Sequence, residues 1–233
     1  ADLDYISDEG MAVSAFPVQK DELFKYDVVI FGDANPAFFS HSVHENLREF
    51  VEERGGGVIF VAGPNYFPKQ YEATPLAGLL PFDLTTASLP TEAELENNSF
   101  RLRPTTLGLD TPTFQIGDSP EESRRLWSQQ PELRWLLEIA DVNTTAMVLA
   151  EHPTRHTLSG RPLPVVLMQF VGAGKVIFHA TDETYLWSRF QGSNRYYDRY
   201  WHQTIRYLSR AKLLSDRQPI AMTTDAQKYA EGD

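Results

Sequence analysis

The chain contains no cysteine, so disulfides, thiolate metal sites and thiol nucleophiles are excluded from its chemistry. No apolar run approaches the roughly 20 residues that span a bilayer, and the N-terminus lacks the basic-then-apolar pattern of a signal peptide. Bases are outnumbered, 21 Lys and Arg against 32 Asp and Glu, for a formal net charge of −11. The acids are spread along the chain instead of gathering in a tail. Such a surface repels phosphate backbones and anionic headgroups, so nucleic acid and membrane surfaces are poor partners.

What is present is the composition of a soluble globular domain. At 233 residues and 42% hydrophobic content, the chain is long enough for one large domain, or one domain with a substantial insertion. The clearest unit starts at Tyr26-Asp27 and runs Val28 to Phe31 before stopping at Gly32-Asp33, as a strand buried on both faces does. Ser42 and Glu45 then have capping-box spacing. Val43, Leu47, Phe50 and Val51 form a helical stripe, and Gly55 stands where a C-terminal cap is wanted. Val58 to Gly63 repeats the buried-strand pattern. Strand, helix and strand with short joins predict a βαβ unit and a parallel sheet.

From Pro64 to about Asp141 the pattern breaks into prolines, threonines and acids with short apolar pieces. This stretch reads as an insertion or lid with one or two short helices. Strands are expected over 145–150, 164–171 and 175–180, the last two forming a hairpin at one sheet edge after Gly172-Ala173-Gly174. A closing helix carries Tyr197, Tyr200, Trp201, Thr204, Ile205 and Leu208 on one face. The fold class is therefore α/β: a flavodoxin-like, doubly wound, mostly parallel sheet with a long irregular insertion.

The order of these pieces resembles the class I glutamine amidotransferase-like domain of large bacterial membrane-anchored proteins that also carry a von Willebrand A domain. The words that carry the likeness are Tyr26 to Asp33, Leu47-Arg48-Glu49-Phe50-Val51 with Arg54 to Gly57, Thr74-Pro75-Leu76-Ala77 with Leu79-Leu80-Pro81, and Gly172 to Phe178 with Thr181-Asp182. Together they cover roughly residues 26–210. The resemblance implies a domain over 1–214 with the insertion at 64–141, excised from an envelope-associated parent whose opening strand and helix lie upstream of Ala1. Residues 1–25 offer only the short pieces Leu3 to Ile6 and Ala12 to Phe16. For residues 215–233, around Pro219 to Thr224 with Lys228-Tyr229, two readings stand side by side: the start of a β-sandwich domain, or a disordered tail.

The resemblance also implies chemistry that this chain lacks. Class I amidotransferases place a cysteine on a sharp strand-to-helix turn, a histidine after a later strand, and a glutamate two residues beyond it. Here the turn reads Pro64-Asn65-Tyr66, with neither cysteine nor serine, and proline has no N–H to offer an oxyanion. His179 stands near the family's histidine, but the residue two beyond it is Thr181. No catalytic residue, cofactor or metal is therefore expected.

Two further histidine groups are weaker still. His41 and His44 at the start of the first helix, near Asp33, read as a solvated helix start before a metal site. His152 and His156, split by Pro153, read as loop residues. Gly55-Gly56-Gly57 precedes a strand instead of joining strand to helix, so it is a helix stop and not a phosphate loop.

Ligands of open α/β sheets bind at the carboxyl ends of the strands. Asp33, Asn65, Tyr66, His179, Asp182 and Glu183 fall there, with Trp187 and Arg189 on the expected rim. In the alternative reading Asp182 caps a turn, Trp187 packs under the insertion and Arg189 pairs with an acid. The functional expectation is a catalytically inactive module for protein interaction or ligand sensing, its partner another protein or the rest of the parent chain. The alternative is a hydrolase or sugar-processing domain of the trehalose-utilisation type using Asp182, Glu183 or His179.

Overall fold

The computed structural model describes residues 16–216 except 98 and 189. The opening pieces Leu3 to Ile6 and most of Ala12 to Phe16, and the tail from residue 217, lie outside the described residues. In chain order the first elements are α1 (Lys20–Leu23), β1 (Val28–Phe31), α2 (His41–Glu52) and β2 (Gly57–Val61). The middle contributes β3 (Ala87–Ser88), α3 (Glu92–Asn97), β4 (Arg103–Pro104), α4 (Thr106–Asp110), α5 (Pro120–Gln129) and β5 (Glu138–Ile139). Then come β6 (Met147–His156), β7 (Pro162–Val171), β8 (Gly174–His179) and α6 (Arg195–Asp216).

The main sheet has the order β1-β2-β8-β7-β6-β4, while β3 and β5 form a separate pair. β1, β2 and β8 are mutually parallel, in register Val29↔Val58 and Val58↔Val176. β7 runs antiparallel to β8, β6 to β7, and β4 to β6. Four of the six strands thus point one way, and the sheet is mixed. The predicted β7–β8 hairpin exists but is not at the edge, because β2 pairs with β8 and β6 with β7. That interior position is why Val165 to Met168 are all buried.

The βαβ unit forms as the sequence predicts, with two changes: β1 is an edge strand that leaves Ile30 exposed instead of being buried on both faces, and the cap of α2 moves. Ser40, not Ser42, is the N-cap residue of α2, and the two hydroxyls hydrogen-bond each other at 2.8 Å instead of capping the backbone. Val43, Leu47, Phe50 and Val51 are buried as expected, and His44 joins them. Past the helix, Gly55 takes φ +68°, a left-handed conformation that glycine adopts without the Cβ clash other residues suffer.

Helices cover both faces of β2. A Cβ on Gly56 would collide with the Phe50 ring of α2, and one on its neighbour Gly57 with Leu208 of α6. Adjacent strand residues point to opposite faces, so α2 and α6 sandwich the sheet here. On α6, Tyr200, Thr204 and Leu208 are buried and Tyr197 and Trp201 half-buried. Ile205, expected on the same face, is exposed.

Among the described residues the middle segment holds three short α-helices and four 3-10 turns, more than the one or two helices expected, and it shares the core with the sheet. Phe67, Tyr71, Leu76, Phe114, Trp127, Leu133 and Leu137 belong to the same apolar cluster as Val58 and Phe178. α5 shows why a helix forms in so polar a stretch. Ser119 accepts from the Glu122 N–H at 3.1 Å, Pro120 fills the first turn, and Leu126 and Trp127 supply the buried face. Asp118, just before it, is bracketed by Arg199 and Arg195 of α6 at 2.7 and 3.4 Å.

Candidate functional site

The carboxyl ends of β1, β2 and β8 come together, and the side chains there are already occupied. Asp33 follows β1, and both its oxygens accept hydrogen bonds from the turn after β2. Oδ2 receives the Asn65 N–H at 2.9 Å and the Asn65 side-chain amide at 2.8 Å. Oδ1 receives the N–H groups of Tyr66 and Phe67 at 2.6 and 2.8 Å. Burial pushes this carboxyl up, but the hydrogen bonds from Phe67, Asn65 and Tyr66 outweigh it and hold the group below the usual carboxylate range. Gly63 makes the approach feasible, since a Cβ there would collide with the Asp33 side chain. The amides that an oxyanion hole would need at this turn are therefore taken by Asp33.

Glu183 performs a similar task after β8. Its Oε2 accepts from the Arg134 N–H and from the Trp135 N–H at 2.8 Å. Beside it, Leu137 N–H donates to the Ala180 carbonyl at 2.7 Å, and the Thr181 hydroxyl accepts from the Glu183 N–H at 3.1 Å. Residues 134–137 are thus laced to the strand end. Glu183 also lines a cavity of about 570 Å³ with Leu95, Glu96, Ser99, Arg134 and Trp135. Asp182 is exposed as a residue, yet partial desolvation lifts its carboxyl above the usual range, with the charges of Glu183 and Asp33 adding to the effect.

His179 points away from these acids. It is fully buried beneath α6, its Nε2 3.0 Å from the Tyr200 hydroxyl and its ring stacked on Trp201 at 5.3 Å. Burial holds the imidazole down at about 3, so it is neutral, and Nδ1 has no hydrogen-bond partner among the described residues. The structure therefore does not gather His179, Asp182 and Glu183 into one cleft.

Trp187 is not on a rim. Only 2% exposed, it packs edge-on against Trp127 at 5.1 Å and Tyr200 at 5.4 Å. Arg189 lies outside the described residues.

The other histidines are also apart. His41 is exposed beside Glu45, whereas His44 is buried between Phe39 and Tyr71, its imidazole lowered first by burial and then by His41. Among the described residues no group of three or more His, Asp or Glu is placed to hold a metal ion. His152 and His156 are on β6, not in a loop, and His152 is buried against Phe100. Its Nδ1 accepts from the N–H groups of Thr154 and Arg155, which replaces ladder bonds where the register shifts around Pro153.

A second concavity escaped the sequence reading. At the sheet edge opposite β1, residues 99–104, α4, α5 and the Pro153-Thr154 bend enclose about 660 Å³. Arg101, Arg103 and Arg124 all line it. The available signal was the alternation over 100–103: Phe100 and Leu102 are buried, Arg101 and Arg103 exposed, as period-2 backbone requires. Proline-rich surroundings hid it.

No family model and no curated protein matches the chain. Solved structures do. Cytoplasmic protein STM3548 from Salmonella typhimurium superposes with a TM-score of 0.55 at 17% identity, covering 84% of this chain and 76% of that one. Cytoplasmic protein STM1381 from Salmonella typhimurium LT2 gives 0.50 at 17% identity, covering 83% and 76%. The β-galactosidase from Rahnella sp. R3 gives 0.45 at 15% identity, covering 79% of this chain and 23% of that one. At such identities the likeness to the two Salmonella proteins is one of fold, and it agrees with the mixed α/β architecture. Among the described residues no helix is long and apolar enough to cross a membrane.

The lacing by Glu183 has a measurable consequence. In a Glu183→Ala variant, hydrogen exchange at the Arg134 and Trp135 amides is expected to accelerate at least about tenfold, with a stability loss of about 1–3 kcal/mol. Unchanged exchange at those two amides would show that the Leu137–Ala180 bond holds the segment unaided.

Proposed function

We propose that this chain is a catalytically inert, flavodoxin-like relative of the class I glutamine amidotransferases that works by binding, as an interaction or ligand-sensing module of a larger envelope-associated protein. The observation that carries the reading is the use made of the acids at the strand ends. Asp33 and Glu183 each have carboxylate oxygens occupied by backbone N–H groups of neighbouring loops, so they hold structure in place instead of awaiting a substrate. His179, at the family's base position, is sealed beneath Tyr200 and Trp201. A general base must reach the proton it abstracts, and this one reaches only protein.

A second reading rests on Asp182, an exposed acid with a raised pKa of the kind that donates a proton to a leaving group. It corresponds to the hydrolase of trehalose-utilisation type. Both readings are tested by following ammonia release from glutamine and sugar release from a panel of disaccharides. The expected result is no turnover above the blank for either substrate class. Turnover that disappears in Asp182→Asn would overturn the binding reading and establish the hydrolytic one.

A further inference from the structure

We propose that the cleft at the β4 edge is a binding site for a small amphipathic organic acid, with an apolar body on its floor and a carboxylate on its arginines. The site is separate from the strand-end edge and stands whether or not that edge binds anything.

The floor is core turned outward. Phe100, Leu102 and Leu109 are more than nine-tenths buried and present only their edges to the cavity, with Pro104 and Pro153 beside them. The walls are fixed. Phe100 exchanges both backbone hydrogen bonds with Leu133, at 2.9 and 2.8 Å, and its ring lies 4.3 Å from that of His152. A cavity of about 660 Å³ lies within the range of small-molecule sites, which are mostly apolar with a few convergent polar groups.

The charge at the rim selects the ligand. Three arginines line the cleft against one acid, Glu132, in a chain whose net charge is −11. Two of the three are held in place. Arg101 donates from Nε to the Gln130 carbonyl at 2.9 Å and pairs with Glu132 at 2.7 Å. Arg103 donates from Nε and Nη2 to one oxygen of Glu151, which lies outside the lining. Arg124, on α5, makes no ion pair within 4 Å among the described residues, and its charge acts at longer range on Glu121. Guanidinium groups fork onto carboxylates, and side chains already ordered lose less entropy on binding. A polyanion would meet the repulsion of the surrounding acids, whereas a single carboxylate on a small apolar body need share only the guanidinium donors that Glu132 and Glu151 leave open, together with Arg124.

The experiment is isothermal titration calorimetry of the full chain with 2-naphthylacetate and with its neutral counterpart 2-naphthaleneethanol. The acid is expected to bind with a Kd of about 1 mM or tighter, and at least about tenfold more tightly than the alcohol. Arg103→Gln combined with Arg124→Ala is expected to weaken the acid about tenfold or more while leaving the alcohol unchanged. Both residues are exposed, and a melting curve of the double variant checks that it folds. Arg124→Ala alone, which breaks no ion pair within 4 Å and removes only a longer-range attraction to Glu121, serves if the double variant is unstable, and a severalfold loss for the acid is then expected. No saturable binding of the acid to the native chain, equal binding of acid and alcohol, or undiminished acid binding in the folded variants would each overturn the proposal.

Discussion

Asp33→Ala is expected to lower stability by about 3 kcal/mol, which for a domain of this size is a fall in Tm of about 10 °C. Three backbone N–H groups, those of Asn65, Tyr66 and Phe67, lose their common acceptor, and the Asn65 side chain loses its partner. Phe67 is fully buried, so water cannot replace the carboxylate there, whereas Asn65 is exposed and recovers part of its loss. The deficit has a pH signature. The folded-state pKa of Asp33 lies below its ordinary 3.8, so its contribution is fully present above that value and is lost as pH falls through the lower, folded value. The gap between the urea midpoints of the two proteins should therefore be widest at neutral pH and narrow in strong acid. Equal midpoints at pH 7 would show that the turn holds itself.

Trp187→Ala is expected to cost about 3–5 kcal/mol, a Tm decrease of about 10–20 °C, because it empties a fully enclosed aromatic site. Trp187 fits between Trp127 of α5 and Tyr200 of α6, and Tyr200 in turn bonds His179 of β8. One side chain thus joins the middle segment, the closing helix and the sheet. Thermal unfolding followed by circular dichroism checks the expectation. A variant that melts like the native chain would instead return Trp187 to the surface, as the rim residue that its place past the strand end suggests.

Much of the frame was legible in local pattern. The continuous apolar runs at Val28 to Phe31 and Val58 to Val61 were legible as strands, but only β2 is buried on both faces, since β1 lies at the sheet edge and leaves Ile30 exposed. The spacing of Val43, Leu47, Phe50 and Val51 could only put those residues on one side of a helix. Other positions local pattern misread. β6 runs on through Pro153 because His152 supplies the acceptor that the interrupted ladder lacks, so two histidines read as loop belong to a strand. Ile205 has the spacing of a core residue on α6 but is exposed among the described residues.

The sequence by itself determined that thiol chemistry is absent and that α2 and β2 supply core side chains, but not that the middle segment shares that core. Without cysteine there is no thiol nucleophile, and apolar periodicity follows directly from backbone geometry. Only the tertiary structure decided what the polar groups do. Asp33 meets its donors across 32 to 34 residues and Glu183 across 48 and 49, and Arg103 meets Glu151 across 48. The chemical role of a carboxylate or guanidinium depends on which donors and acceptors lie within about 3 Å of it. That distance is set by the packing of the whole chain.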